Sequence, residues 1–462
     1  MIRRILGVFL AVLTTGVVLH ATIFSTVRGV VHDPSHRPIA NAKVMLESTQ
    51  SDWKRDAATN DEGEFAIDAV PAGEYRVRIE SAGFTPLERT LTVASGSAPI
   101  LHLALDIAGG AEKVEVSAST EEAAQESATA ESEVTRTQML ETPGAERTNS
   151  LAAITDYVPG AYMVHDQLHV RGGHQVSWLV DGVPVPNTNI ASNVGPQFDP
   201  RDIETLEESR GGLSADLGDR TYVAFNVVTR SGFERNREAE LSTTVGNFGA
   251  TDDSLSFGDH SSRFAYYASV NGNRSDYGLE TPTASVLHDT EGGEGGFASL
   301  IYNATPKDQL RLVTSLRRDN FEVPNDAANQ LAGVNDFERE SDAFVNFSWV
   351  HTISNGALVV ISPFYHFNRA LYDGSPADPD VEATDHRTSQ YAGGQVSLSI
   401  VRGRHNARAG VYGFAQRDDE FFRLSATDGS GTTVAQSTHP TGNLEAVFLE
   451  EQFRAANWLM LT

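Results

Sequence analysis

From about residue 238 onward, apolar and polar positions alternate with a period of two. Phe264, Tyr266, Ala268 and Val270 fall on one face. Arg263, Ser269 and Asn271 share the other with Ala265 and Tyr267. Leu310, Leu312 and Leu316 oppose Arg311, Ser315 and Arg317. Ala392, Val396, Leu398 and Ile400 oppose Tyr391, Gln395, Ser397 and Ser399. A period of two predicts strands with two unlike faces. Short turns such as Asn303–Asp308 alternate with longer acidic or glycine-rich loops, read here as Glu291–Gly296 and Asp373–Pro376. Such strands fit an antiparallel transmembrane barrel. Lipid satisfies no backbone polar group, so spanning strands must pair with one another. A soluble β-solenoid or an array of sandwiches shares the alternation.

Shorter runs precede this region. Residues 22–107 hold alternating segments at Val27–Val31, Ala42–Leu46, Tyr75–Ile79 and Leu101–Leu105, separated by turn signals such as His32-Asp33-Pro34-Ser35 and Pro71-Ala72-Gly73. That spacing predicts a small β-sandwich. Residues 108–133 are rich in Glu, Ala, Ser and Thr, lack aromatics, and read as a flexible linker. Inside it, Glu112–Ser117 alternates briefly. A helix is predicted over residues 151–154, capped by Asn149 or Ser150 and ended by Pro159-Gly160.

Residues 168–233 then carry three short β patterns joined by glycine-rich turns. Trp178-Leu179-Val180 and Val183-Pro184-Val185 flank Asp181-Gly182, a dipeptide suited to a tight hairpin. Pro184 donates no ladder hydrogen bond, so its strand belongs at an edge or ends early. The fold class predicted is mainly β: a small sandwich, an α/β domain over residues 134–233, then part of an antiparallel transmembrane barrel over residues 234–462.

Composition narrows the chemistry. A net charge of -27 argues against nucleic acid as a partner. The absence of cysteine excludes disulfides, thiolate metal sites, cysteine nucleophiles and a lipoprotein anchor. Mean hydropathy is -0.28, and no second apolar run is long enough to span a bilayer as a helix. Residues 1–21 read as an export signal, with Arg3 and Arg4 before the apolar run Ile5–Leu19 and Ala21 at the cleavage position.

Candidate catalytic constellations fail on context. His165-Asp166-Gln167-Leu168-His169 has two-histidine zinc spacing, but a zinc site of that kind needs a helix and a longer carboxylate. Here the run continues as a strand. No phosphate loop or nucleophile elbow is present. No cofactor is expected, and a secreted carbohydrate-active enzyme lacks a paired-carboxylate motif.

Two segments resemble known domains. The order VxGxVxD, A-x-V-x-L, DEGEF and PAGEYRVRIE resembles the carboxypeptidase-regulatory-like (transthyretin-type) domain, an accessory module in that family; no zinc-ligand set accompanies it, so no peptidase activity is implied. The order Arg171-Gly172, Val180-Asp181-Gly182-Val183, DP-x-x-I-E-x-L-E-x-x-RG (with Glu207, Arg210 and Gly211) and VTRSG resembles the plug domain of TonB-dependent outer-membrane receptors. A departure is Gly218–Val223, where a glycine pair is usual.

The plug resemblance implies an outer-membrane protein whose loops capture an extracellular ligand and whose plug blocks the lumen. It implies a periplasmic TonB-type energy transducer as partner, and outer-membrane lipid around the barrel. The run Val114-Glu115-Val116-Ser117 resembles a TonB box; a plain linker or the last sandwich strand fits it equally. Arg171, Glu207 and Arg210 are expected at the plug–barrel contact, with ordinary surface charge as the alternative. The resemblance also implies about twenty-two barrel strands, more than residues 234–462 supply, so the sheet is expected to curl without closing and the chain reads as a fragment. The solute is open; a metal chelate fits, and the accessory domain tilts the reading toward glycans. A surface binding or adhesion protein without active transport is the rival.

Overall fold

A computed structural model describes residues 25–33, 37–49, 51–61, 63–70, 73–93, 100–105, 129–142, 157–164, 167–170, 176–186, 198–211, 215–217, 223–261, 263–279, 283, 286–305, 307–354, 357–402, 405–456 and 459–461. The first seven strands are β1 (Ser25–His32), β2 (Lys43–Ser48), β3 (Lys54–Ala58), β4 (Glu64–Val70), β5 (Gly73–Glu80), β6 (Leu87–Val93) and β7 (Ile100–Ala104). They form two sheets, ordered β4-β1-β7 and β3-β2-β5-β6. Alternate residues of both sheets, among them Val27, Val44, Leu46, Val77, Ile79 and Leu103, meet in a shared core. This is the predicted sandwich, two sheets packed face to face over one core.

The second unit holds β8 (Thr129–Thr135), β9 (Ala161–Val164), β10 (Gln167–Val170), β11 (Val176–Val180), β12 (Val183–Val185), β13 (Ile203–Gly211) and β14 (Val223–Thr229). Five make one sheet, ordered β12-β11-β14-β13-β8. β14 is buried along nearly its whole length and occupies the centre. β12, with Pro184, lies at an edge as its missing donor requires. The sheet corrects the linker boundary: residues 129–133 are not linker but part of β8, paired antiparallel with β13. A short helix, Arg136–Glu141, follows β8 with a reciprocal capping box between Thr135 and Gln138. The helix predicted at residues 151–154 lies outside the described residues. His169 sits in a strand, β10, while His165 lies outside the described residues.

The third unit is one antiparallel sheet of twelve strands: β15 (Glu238–Val245), β16 (Thr251–His260), β17 (Phe264–Ser275), β18 (Glu291–Thr305), β19 (Asp308–Glu322), β20 (Phe337–Ser354), β21 (Ala357–Asp373), β22 (Val381–Arg402), β23 (His405–Ala426), β24 (Thr433–Thr438), β25 (Thr441–Ala456) and β26 (Leu459–Leu461). Neighbours in sequence pair in space, except that β24 branches from β23, and β15 and β26 do not meet. The sheet curls around the plug without closing.

Alternation sorts its faces. Tyr267, Phe297, Val313, Phe344, Phe364 and Tyr391 are buried against the plug core. Phe264, Val270, Leu300, Leu316, Phe347 and Leu449 point away and stay exposed, as a lipid-facing surface must. No described helix is long and apolar enough to cross a membrane; the strands supply the span.

A second expectation is overturned. Glu291–Gly296 is not a loop but the first part of β18. The glycines serve space, not turning. A Cβ at Gly293 would meet the Asp319 carboxylate and lie 2.8 Å from Asn273 Oδ1 and 3.1 Å from Arg317 Nη2. Those side chains fold over the strand because nothing stands in their way.

Candidate functional site: the plug seat

The connections separate the two ends of the barrel sheet. Short connections at residues 261–263, 306–307, 355–356 and 403–404 mark one end; longer ones at 276–290, 323–336 and 374–380 mark the other. In outer-membrane barrels short turns face the periplasm and long loops the exterior. The sandwich docks at the short-turn end. Trp53 meets Phe233 edge-on with ring centroids 6.5 Å apart, and Asp52 Oδ1 lies 2.6 Å from His260 Nε2. Phe233, Ala265 and Ile301 extend the sandwich core into the base of the barrel.

The plug is seated on the inner wall through buried charges. β11 and β12 meet in a two-residue turn whose φ values, 50° at Asp181 and 77° at Gly182, are those of the left-handed region. Glycine takes that conformation without strain and Asp tolerates it. The turn aims Asp181 at β19. Arg311 Nη2 lies 3.0 Å from Asp181 Oδ2 and donates to Thr229 Oγ1 at 2.8 Å. Thr229 donates to Asp181 through its backbone N–H at 3.0 Å and its hydroxyl at 2.8 Å. Burial pushes the Asp181 carboxyl up, while Arg311 and the two Thr229 donors pull it down.

Behind the turn, the Gly182 N–H donates to Asn226 Oδ1 at 2.8 Å, and Asn226 Nδ2 donates to Glu207 Oε2 at 2.8 Å. Asp181, Gly182 and Glu207 thus join one network, through an asparagine that motif reading passed over. Arg210 and Gly211 lie on β13, opposite Ala130 and Thr129 of β8. Val114, Glu115, Val116, Ser117, Arg171 and Gly172 lie outside the described residues.

A second contact comes from the turn Pro200–Asp202. Asp202 accepts from Tyr267 Oη at 2.9 Å and Ser269 Oγ at 2.6 Å. Arg201 bridges Asp199 at 2.6 Å and Asp252 of β16 at 2.7 Å. Arg230 and Arg235 stack over the Tyr267 ring at 5.0 and 5.4 Å. Glu240, on the first barrel strand, lies 3.2 Å from Arg235, 3.5 Å from Arg136 and 3.7 Å from Arg230. Arg311 carried one visible signal, a charge inside a leucine alternation. Tyr267 and Glu240 carried none, since their roles depend on what lies across the lumen.

No group of three or more potential metal ligands occurs among the described residues. Buried charge pairs that hold one domain inside another are a mechanical arrangement, not a catalytic one.

Residues 26–106 match the carboxypeptidase regulatory-like domain and residues 123–223 the TonB-dependent receptor plug domain. The chain thus carries a TonB-dependent receptor plug domain behind a carboxypeptidase regulatory-like domain. The TonB-dependent transporter Oar of Myxococcus xanthus is 24% identical over 226 residues, covering 45% of this chain and 20% of that relative. The chain therefore spans about a fifth of the length of that curated relative. Among solved structures, the ferric citrate transporter FecA superposes with a TM-score of 0.56 at 15% identity, covering 72% of this chain and 55% of that one. The siderophore receptor PiuA from Acinetobacter baumannii gives 0.52 at 13%, covering 71% and 56%. These likenesses show the fold of a TonB-dependent receptor, with its plug and the outer-membrane barrel around it.

Proposed function

We propose that the protein takes up a large solute across the outer membrane in a TonB-dependent cycle. The observation that carries this reading is the seat of the plug: a compact sheet held on the barrel wall by Asp181–Arg311 and the Tyr267 cluster. A domain held inside a lumen by a few buried polar contacts acts as a gate, and passage requires that those contacts yield. The outer membrane has no ion-gradient supply of its own, so the work comes from a periplasmic TonB-type transducer. It pairs as an added strand with Val114-Glu115-Val116-Ser117, where main-chain hydrogen bonds supply affinity.

Toward the long-loop end, Asp319, Glu340, Asp342, His366 and Asn368 are buried polar residues of the barrel strands, which would meet a solute only once the plug yields. Such a wall suits a polar solute, either a glycan or a metal chelate.

The test is Val116→Pro in cells making the full-length protein. Proline removes a donor and fixes φ, so strand pairing at this position should fail. Uptake should be lost while surface binding of the solute is retained. Unchanged uptake would remove this segment from the mechanism. Binding with no energy-dependent uptake in the parent protein would make it a surface-binding protein instead.

A further inference from the structure

The inner face of β19 to β23 is laid out in rows by register. Toward the long loops, three successive rows carry Glu338 and Asp385, then Glu340 and Glu420, then Asp342 and Asp418. Two guanidinium groups share these rows, and both are committed. Arg317 lies 2.9 Å from Asp319, and Arg387 pairs with Asp385. Asp418 accepts from the Ser389 hydroxyl and from Gln416 Nε2 at 2.6 Å, and forms no ion pair among the described residues. Glu338 forms none either; the charge that bears on it is Asp385, of the same sign. This half of the wall is therefore anionic.

A second observation is independent of charge. On the same face, Asn368, His366, Asn346 and Gln395 are more than nine-tenths buried. Asn368 Oδ1, His366 Nδ1, Asn346 Oδ1 and Gln395 Oε1 have no hydrogen-bond partner among the described residues. All four atoms accept. Three are amide oxygens. His366 Nε2 lies 2.7 Å from Asp342 Oδ2, so its proton sits there, and Nδ1 of the neutral ring offers a lone pair. Buried acceptors are seldom left without donors unless something else supplies them. These four descend in steps. Asn368 lies opposite Asp342, His366 opposite Phe344, Asn346 opposite Phe364, and Gln395 opposite Ser362, whose hydroxyl meets Ser348 at 2.8 Å. Gln395, Ser348 and Ser362 line a narrow seam with Asp181 and Gly182 at the tip of the plug hairpin. From Glu338 to Ser348 the column covers about 33 Å of strand.

We infer that the inner face of β20 to β23 is a track for a cationic solute, one that carries several ammonium or guanidinium groups. The inference rests on the uptake reading above and names the charge of its solute. The carboxylates at the long-loop end attract and hold the positive groups, since charge-assisted hydrogen bonds are the strong ones. The acceptors below lack donors, and ammonium and guanidinium groups are donors only. Once the plug yields, each step of the column offers the next set of lone pairs. An anionic solute would meet repulsion at the entrance and, lower down, oxygens with nothing to donate.

The full-length protein in neutral-detergent micelles, at about 0.15 M salt to screen long-range attraction, would be titrated with dye-labelled tetralysine, with its acetylated neutral form and with its succinylated anionic form. Binding is read by fluorescence anisotropy. Tetralysine should bind about tenfold or more tightly than the acetylated form, and the succinylated form most weakly. Glu338→Gln combined with Asp418→Asn should cut that preference to about threefold or less. Asp56→Asn with Asp61→Asn, the same change of charge on the sandwich, should leave it intact. Equal binding of the three peptides, tighter binding of the succinylated form, or an unchanged preference in the Glu338 and Asp418 variant would overturn the inference. In energised cells, Asn346→Leu should slow tetralysine entry; unchanged entry would take the buried acceptors out of the path. The uptake reading fails separately: a protonophore that leaves tetralysine entry unchanged, with the binding preference intact, would sink uptake and keep the charge of the solute.

Discussion

Asp181 has no exposed side-chain surface and one cationic partner, Arg311. Removing one member of a buried pair leaves the other desolvated and uncompensated, at a cost of about 3–5 kcal/mol. Arg311→Ala should therefore loosen the plug by that amount, seen as faster protease cleavage within residues 129–233 while the barrel strands stay resistant. Adding Asp181→Asn should recover part of the loss, because the orphaned charge is gone. Equal protease resistance in the parent and the single variant would mean that the pair does not hold the plug. At the exterior, Asp336 and Asp378 converge on one backbone donor: the Ser375 N–H lies 2.8 Å from Asp336 Oδ1 and 3.1 Å from Asp378 Oδ2. Burial, then the Asp336 charge and hydrogen bond beside it, push the Asp378 carboxyl from 3.8 up to about 6. A raised carboxyl favours the folded loop while protonated; its contribution is complete below the ordinary value and lost as pH rises through about 6. Asp378→Asn, neutral throughout, should keep the Ser375 amide as protected at about pH 7.5 as the parent is at about pH 4.5, after correction for intrinsic exchange. Parallel loss of protection in both proteins would break the link to this carboxyl.

At the scale of elements, what was legible depended on whether a strand carries its own pattern. The alternation of Phe264–Asn271 and of Leu310–Arg317 survives into β17 and β19 because one face meets lipid and the other the plug. The Asp181-Gly182 hairpin was legible because its turn needs residues that take positive φ. β8 was not: TAESEVT has no strand signature, and its conformation is imposed by the free edge of β13. Glu291–Gly296 misled for the opposite reason. Glycine's turn preference is a local tendency, whereas at Gly293 the space beneath the Arg317–Asp319 pair decides. Of the seat, Asp181, Gly182 and Glu207 lay in recognisable motifs, but Arg311, Asn226 and Tyr267 become partners only once the plug lies against the wall. Gly293→Ala should cost about 1–3 kcal/mol through overpacking, measured as a lower temperature for loss of the heat-modifiable gel shift. An unchanged transition would show that Asp319 and Arg317 move aside freely.

Across the whole molecule, the sandwich is joined to the barrel base by a small aromatic and polar contact. Phe233 supplies the apolar part from the barrel side, so Phe233→Ala weakens the joint without cutting into the sandwich strands. After proteolytic cleavage within residues 106–128, the sandwich should remain bound to the parent barrel. In the variant its association should weaken by about a hundredfold or more, the scale of a lost buried Phe, and it should elute separately on gel filtration. Co-elution in both cases would place the hold elsewhere, at Asp52 and His260.

That joint also changes the statics of the chain between Leu105 and Thr129. Covalent geometry limits the reach of residues 106–128 to about 80 Å, at roughly 3.5 Å per residue. Both ends of this tether are anchored, one on the docked sandwich and one on the plug. A partner drawing on its middle would load both anchors. The sandwich end is held by the apolar contact of Trp53 with Phe233, by Ala265 and Ile301 beside it, and by Asp52 against His260, without the buried charge pairs that seat the plug, and is read as the weaker of the two. In the proposed cycle it would give way first, so the strength of a contact outside the barrel would set how far a pull must travel before anything inside it moves.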